Sequence, residues 1–582
     1  MPYITKYKFR LIGGFFINLF FIGLSILNPY LAGLVILNVI EGGQHELLLP
    51  YLAIMIANTV FRSVVRYTVM INMESISQNV LFELRQDLYH KLHIQNYSWF
   101  DKNRVGDIMS RMTGDLEAIR HFVAFDLINI PDGILLYTLA IVAMATVNVP
   151  LTLAMILVTP IVIFTALRQS KEVRPAFHNV RERFSKLNSV CTENIGGNRV
   201  VKAFTKEAHE IEKFTEANEA FFDSNMGTAK IQAKYIPIME ACANALPFIL
   251  LLLGSLLVIW EYIELWELVM VSGYIWMLNH PTRMFGWHVN SAQNFATSLD
   301  KVYGMMRGKV YIQNPENPVR VDEIKGAVEF RNVNFRYGRN ETEPYVLKDI
   351  SFRAEKGQTV GIVGGTGSGK TTLIQLISRF HDATTGEVLV DAINVKEYHL
   401  SDLRQGIAYA MQDVFLYSDT VEGNIAYGVP DASMESIFSA AAVADADGFV
   451  QHMSEGYDTV VGERGVGLSG GQKQRLSLAR AIAVEPSILV LDDVTSAVDM
   501  ETEHRIQAAL AEKVLKSGMG RTTFIVAHRL SSVKEADLIL VMGDGAIIER
   551  GTHEELVELG GYYAQLYEEQ RGGSYGAQHI PN

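Results

Sequence analysis

Residues Val360–Thr372 read VGIVGGTGSGKTT, a short apolar strand and a glycine-rich turn, followed by an apolar helix that begins with Leu373 and Ile374. Gly364, Gly369, Lys370 and Thr371 meet the spacing G-x-x-x-x-G-K-[ST] of a phosphate-binding loop. The turn Gly364, Gly365, Thr366, Gly367, Ser368, Gly369 lets backbone N–H groups close around phosphate oxygens at the start of a helix that Thr372 continues. Lys370 is spaced to reach the β- and γ-phosphates and Thr371 to offer a hydroxyl to Mg²⁺.

Such a loop needs an acid across the site. Ile488–Leu491 is a run of apolar residues followed by Asp492 and Asp493, the pattern of a buried parallel strand delivering carboxylates to a phosphate site. Asp492 is the expected Mg²⁺-side acid, and Asp493 is the second acid at the strand end. Loop and acids together predict an α/β P-loop nucleotide-binding domain with ATP and Mg²⁺ as cofactors.

Outward from this domain the composition changes. The chain has 582 residues, of which 49% are hydrophobic, too apolar on average for an ordinary soluble enzyme. Nearly charge-free stretches crowd the first half, and the chain after about Pro318 reads as soluble. The boundaries expected are 1–310 for a membrane domain, 311–325 for a linker, 326–565 for the nucleotide-binding domain and 566–582 for a C-terminal tail. A net charge of −13 argues against a nucleic-acid partner, which needs clustered Lys and Arg. Two cysteines, Cys191 and Cys242, make neither a disulfide framework nor a metal-ligand pattern.

Leu11–Ile40 contains no charged residue and, as a helix at about 1.5 Å per residue, exceeds the roughly 30 Å hydrocarbon core. Further spans are expected at Leu47–Phe61, Leu127–Val147, Leu151–Leu167, Tyr235–Trp260 and Leu265 to about Trp287, making six. The loops Glu41–Gln44, Asn148–Pro150 and Glu261–Glu264 lack Lys and Arg, whereas the N-terminus and the segments Arg85–Arg120 and Arg168–Lys234 are rich in both. Both termini are therefore expected in the cytoplasm, with the chain a multi-pass protein of the lipid bilayer. The two long segments carry helical periodicity, as at Leu81, Leu84, Leu88 and Leu92, and are expected to be membrane helices continued into the cytosol. Asp132 and Glu240 lie inside apolar runs and should face a cavity, a partner or the watery mouth of the domain. Trp276, His280, Trp287 and His288 are candidates for substrate contact or for plain packing.

Further motifs follow the phosphate loop in order. Leu468, Ser469, Gly470, Gly471 and Gln472 read LSGGQ just ahead of the acid-ended strand, and this resembles the signature motif of ATP-binding-cassette (ABC) transporters. Tyr337 in FRYG resembles that family's adenine-stacking residue, Gln412 its Q-loop glutamine, Ser496–Asp499 (SAVD) its D-loop and His528 its switch histidine. Val460–Gly465 (VVGERG) is similar to an exporter-specific loop. Trp99–Arg111 (WFDKNRVGDIMSR) and Glu193–Phe204 (ENIGGNRVVKAF) look like the intracellular regions of exporters, so the resemblance covers both halves and implies the type I exporter fold. It also implies that Tyr337, the phosphate loop, Gln412, Asp492 and His528 bind ATP, with Thr371, Gln412 and Asp492 on Mg²⁺ and Asp493, His528 and Gln412 in catalytic positions.

In that family the LSGGQ helix faces ATP held by a second cassette, so Leu468–Gln472 and Asp499 are expected to serve a partner's site. A helix N-terminus with exposed N–H groups suits that task. The chain has no internal repeat and needs a partner. Family members that hydrolyse at full rate carry glutamate after the acid of the strand. Asp493 is shorter by one methylene, which leaves a carboxylate more than about 1 Å short of hydrogen-bond reach to water. A slow site beside an intact LSGGQ resembles the degenerate-site subunit of heterodimeric bacterial exporters; a slowly hydrolysing homodimer is the alternative. The implied function is export of a small amphipathic compound (drug-like, lipid or peptide) across the bacterial plasma membrane. An importer of exporter architecture for metal chelates or vitamins, and a nucleotide-sensing regulatory half-transporter, remain open.

Overall fold

The charge-poor first half folds into long helices, because a backbone surrounded by apolar side chains can satisfy its N–H and C=O groups only within itself. The computed structural model describes residues 2–338, 342–517 and 520–575. Two compact units result: residues up to His93 together with Val105–Gly308, and Ile94–Arg104 together with the chain from Lys309 onward.

In the first unit, four helical runs among the described residues are long and apolar enough to cross a membrane: Lys8–Glu41, His45–His93, Val105–Val147 and Glu207–Ile259. The other two expected spans sit on helices that do not qualify by length and composition alone. Leu151–Leu167 is divided at Leu157 between helices Val149–Ile156 and Val158–Gly196, and the latter soon meets Arg168, Lys171 and Glu172. The helix Leu265–Arg307 is diluted by Glu267, Asn279, His280 and Pro281. The expected helical extensions are present. Leu48–His93 is a continuous helix of 46 residues, about 70 Å long against a roughly 30 Å core. Leu81, Leu84 and Leu88 are buried on one face of it. The helices Val158–Gly196 and Glu207–Ile249 pack on each other through Leu187, Val190 and Ala217. Among the described residues four π-helical stretches, Val35–Glu41, Arg111–Asp115, Phe122–Asp126 and Leu250–Gly254, interrupt the helices, a feature frequent at functional sites.

Among its described residues the second unit holds two sheets. Strands β1 (Val328–Phe335), β2 (Leu347–Ala354), β4 (Thr385–Val390) and β5 (Ile393–Asn394) form one, in the order β2-β1-β4-β5. The other runs β10-β9-β3-β8-β7-β6, from β3 (Thr359–Gly364), β6 (Ile407–Ala410), β7 (Ile488–Asp492), β8 (Thr522–Val526), β9 (Leu538–Gly543) and β10 (Ala546–Gly551). Within it β9, β3, β8, β7 and β6 are parallel. Their apolar runs are buried on both faces, which is why they read as continuous Val, Ile and Leu. β3 lies between β8 and β9, and β7 lies beside β8, so the phosphate loop and the acid pair leave the same edge of the sheet, where α/β folds bind ligands.

Ile94–Arg104 packs within this second unit. The Tyr97 ring stacks on Phe380 at 5.3 Å, and Asn96 Oδ1 accepts the N–H groups of Tyr311 (3.1 Å) and Ile312 (3.0 Å). The first residues of the expected C-terminal tail lie on the helix Tyr562–Tyr575, where Leu566 and Tyr567 pack against a buried cluster; residues 576–582 lie outside the described residues.

Candidate functional site

The phosphate loop takes its shape from its glycines. Gly364 has φ +149°, and a Cβ there would stand 2.3 Å from the carbonyl oxygen of Met542, so a side chain is excluded where β3 turns into the loop. Lys370 Nζ donates to the carbonyls of Gly364 (2.9 Å) and Gly365 (2.8 Å), folding the ammonium back over the loop. The Ser368 hydroxyl is buried and without a partner among the described residues. Thr366 and Gly367 form the exposed rim.

Across the loop, Thr371 Oγ1 donates to Asp492 Oδ1 at 3.3 Å, which joins the two oxygens assigned to Mg²⁺. Burial pushes the Asp492 carboxyl above its usual range, and the neighbouring Asp493 charge adds to this. Burial also pushes the Lys370 ammonium down, while Asp492 and Asp493 pull it back up. Charged Asp492 therefore costs folding free energy while the site is free of nucleotide. Its folded-state pKa lies above the unfolded value, so the penalty is present at neutral pH and fades as pH falls through the raised pKa. Asp492→Asn should raise the Tm of the nucleotide-free protein at pH 7 by a few degrees, and the gain should shrink in a series of melts taken at falling pH.

Asp493 stands in the left-handed region at φ +50°. Its N–H donates to the carbonyl of Val526 at 3.0 Å, and its own carbonyl accepts from Ser496 Oγ at 3.0 Å. Gln412 follows the end of β6, exposed, and His528 follows β8, also exposed. Tyr337 packs edge-on against Phe335 (5.0 Å) and His381 (5.3 Å), its hydroxyl 2.7 Å from Thr372 Oγ1. The loop, Tyr337, Asp492 and Asp493 are thus brought together around one edge of the sheet.

LSGGQ lies elsewhere in the same unit, at the start of the helix Gly470–Ala483. Ser469 caps that helix: its hydroxyl accepts from Gln472 N at 3.3 Å, and Gln472 Oε1 accepts from Ser469 N at 2.9 Å. Buried Gln474 ties the helix to SAVD. Its Nε2 donates to Ser496 Oγ (3.1 Å) and its Oε1 accepts from Ala497 N (3.0 Å). Asp499 caps the following helix through Thr502 N at 2.9 Å.

Comparison with known proteins agrees with this arrangement. A family model described as "ABC transporter transmembrane region" matches residues 11–281, and one described as "ABC transporter" matches 347–496. The chain is 38% identical over 94% of its length to the Bacillus subtilis "Uncharacterized ABC transporter ATP-binding protein YknU", covering 92% of that protein. It is 34% identical to the B. subtilis "Putative multidrug export ATP-binding/permease protein YgaD", over 97% of this chain and 98% of that one. The chain belongs to the ABC transporter family. A solved "bacterial Atm1-family ABC exporter with ATP bound" superposes with TM-score 0.78 and 25% identity, covering 97% of this chain and 98% of the other. The ABC transporter chain therefore has the exporter fold, an ATP-hydrolysing cassette that binds nucleotide, and a multi-pass membrane domain.

Mg²⁺ favours one or two carboxylates completed by water and phosphate oxygens. Thr371 and Asp492 supply such a pair, and among the described residues no cluster of three or more His, Cys, Asp or Glu offers a protein-only cage. The donor set fits a metal that arrives with its nucleotide.

The membrane domain of this ABC transporter holds an open cavity of about 940 Å³. Trp276, His280, Trp287 and His288 all line it, and so does Asp132. Asp132 accepts from Arg66 Nη1 at 3.1 Å and from the Asn18 amide, and Arg66 Nη2 donates to Asn129 Oδ1 at 2.9 Å. Glu240 lines a different cavity, half-exposed and 3.8 Å from Arg283.

Sequence reasoning missed Gln474, Arg66 and Gln570. Gln570 accepts from Leu530 N (3.0 Å) and donates to the carbonyl of His528 (3.0 Å), holding the backbone that carries the histidine. Gln474 lies two residues past the LSGGQ motif, and its burial was not legible in a polar stretch. Arg66 had a signal, a charge inside a long helical run, that pointed to a partner such as Asp132.

Proposed function

We propose that this chain is one half of a heterodimeric exporter that uses ATP to move a small amphipathic compound across the bacterial plasma membrane. The reading places both termini and the cassette in the cytoplasm, supported by the Lys- and Arg-free short loops. The observation that carries the division of labour is Asp493 beside Asp492 together with an unaltered LSGGQ. Tyr337 stacks on adenine, the N–H groups of Gly364–Thr372 and Lys370 hold the phosphates, and His528 and Gln412 face the terminal phosphate. Thr371, Asp492 and Gln412 would hold Mg²⁺, which neutralises phosphate charge. At this chain's own site Asp493 reaches the attacking water poorly, so ATP is kept and turned over slowly. Ser469, Gly470 and Gly471 present the N-terminus of their helix to ATP on the partner, where Leu468, Gln472 and Asp499 support them. Two ATP molecules hold the cassettes together and hydrolysis releases them.

Co-expression with a second half-transporter that has glutamate after its strand-end aspartate tests this. The two chains should co-purify, and together they should drive ATP-dependent dye uptake into inverted vesicles at least about tenfold faster than this chain alone, as expected when a catalytic group about 1 Å out of place is supplied correctly. Full-rate uptake by this chain alone would establish a homodimer instead.

A further inference from the structure

The cavity of the membrane domain is lined by two guanidiniums, Arg62 and Arg66, and two carboxylates, Asp126 and Asp132, and among the described residues Arg62 is paired with neither carboxylate. Arg66 is matched by Asp132 at 3.1 Å. Asp126 is buried, with His288 Nδ1 at 2.7 Å, His121 Nδ1 at 3.5 Å and the Ser291 hydroxyl bonded to it. Arg62, one helical turn before Arg66 and on the same face, lines the same cavity and has no carboxylate within salt-bridge distance among the described residues. Its Nε is buried without a hydrogen-bond partner among the described residues, and its guanidinium lies 4.9 Å from the centre of the Phe21 ring.

Depth sharpens the point. At about 1.5 Å per residue, Arg62 lies about 21 Å along its helix from Leu48, Asp132 about 22 Å from Val147 and His280 about 22 Å from Leu265. Three helices thus place polar groups in one layer within the roughly 30 Å hydrocarbon thickness. A cation held at that depth is costly unless something balances it. Cation–π contact with Phe21 offsets part of the cost but gives Nε no acceptor among the described residues.

We propose that the cavity binds an amphiphile with a single anionic head, carboxylate or phosphate, received by Arg62. The planar guanidinium matches either head with paired N–H donors. The apolar body lies against Phe21, Phe125, Trp276 and Trp287, which line the same space. This deepens the export reading above and rests on it for transport, though not for binding.

The test uses the full-length chain, assembled with its partner in neutral phosphatidylcholine nanodiscs. Octyl phosphate, octanoate, octyltrimethylammonium and neutral octyl glucoside are titrated below micelle-forming concentrations against tryptophan fluorescence. Either anion should bind at least about tenfold tighter than the cation, the size expected of a charge-assisted contact. The tighter of the two anions identifies the head. Arg62→Gln should erase that preference while keeping octyl glucoside binding, which certifies the fold, and Arg62→Lys should restore much of it. Equal binding of cation and anion, or a preference that survives Arg62→Gln, overturns the assignment; the former result means that Arg62 is neutralised in the assembled transporter, the latter that a group other than Arg62 receives the anion. ATP-driven uptake of the same probes into inverted vesicles reads the export function separately. Anion-selective binding without uptake of any probe removes the export reading and upholds the cavity assignment, whereas uptake indifferent to head charge removes the cavity assignment alone.

Discussion

Gly471→Asp in this chain should lower ATP turnover by the assembled transporter at least about 100-fold, on the scale of losing a preorganised donor at a developing anion. Two physical effects act together. A Cβ at Gly471 would stand 2.9 Å from the carbonyl oxygen of Ala497, so the helix start must shift away from SAVD. The added carboxylate also sets a negative charge at the N-terminus whose positive end is meant for a phosphate. ATP binding to this chain's own loop should persist, because Lys370 and Asp492 lie on different elements from the signature helix. The paired measurement is Asp493→Asn, which should leave total turnover within about twofold, since on this reading the group contributes little to the rate. Steady-state ATPase assays on both variants decide the matter. Turnover that survives Gly471→Asp, or collapses with Asp493→Asn, would reverse the assignment of which site does the work.

Asp493→Glu should act in the opposite direction. Adding the missing methylene brings a carboxylate within reach of the attacking water, and a correction of about 1 Å is worth roughly 100-fold at a reacting centre. Single-turnover hydrolysis at this chain's site, in complex with a partner whose own glutamate has been removed, should rise by at least about tenfold within that range. The backbone exacts something in return. Asp493 sits at φ +50°, a region aspartate tolerates better than glutamate. Its N–H and C=O are both engaged, to Val526 and Ser496, so the backbone cannot relax without breaking those bonds. The substitution should therefore lower the Tm of the chain while raising its activity. No change in single-turnover rate would mean that the signature facing this site from the partner is itself defective.

The readable parts of the molecule were those whose physics is local. The phosphate loop, the acid-ended strand, LSGGQ with its capping serine and the apolar runs each carry their meaning within a few residues, because a turn, a cap or a span is set by neighbours in sequence. The long helical extensions were legible for the same reason: Leu81, Leu84 and Leu88 repeat at the helical period and are buried on one face. Composition was a weaker guide where one helix serves two environments. Leu265–Arg307 meets an apolar core with Val271 and Met277 and turns His280 and His288 to the cavity, so its average polarity hides its role.

What remained hidden depends on residues far apart in the chain. Arg66 finds Asp132, Asp126 finds His288, and Gln570 finds the backbone at His528, across separations that no local pattern encodes.

The sequence by itself determined that a membrane domain is joined to an ATP-binding cassette and that the acid after Asp492 is one methylene short, since motif spacing and side-chain chemistry are local properties. Only the tertiary structure decided that Asp493 stands on a left-handed backbone, that Gln474 ties the signature to SAVD, and that Arg62 lines the cavity with no carboxylate in salt-bridge reach among the described residues. Whether a charge is neutralised depends on which other groups packing brings within a few ångströms of it, and the linear order of residues does not state that.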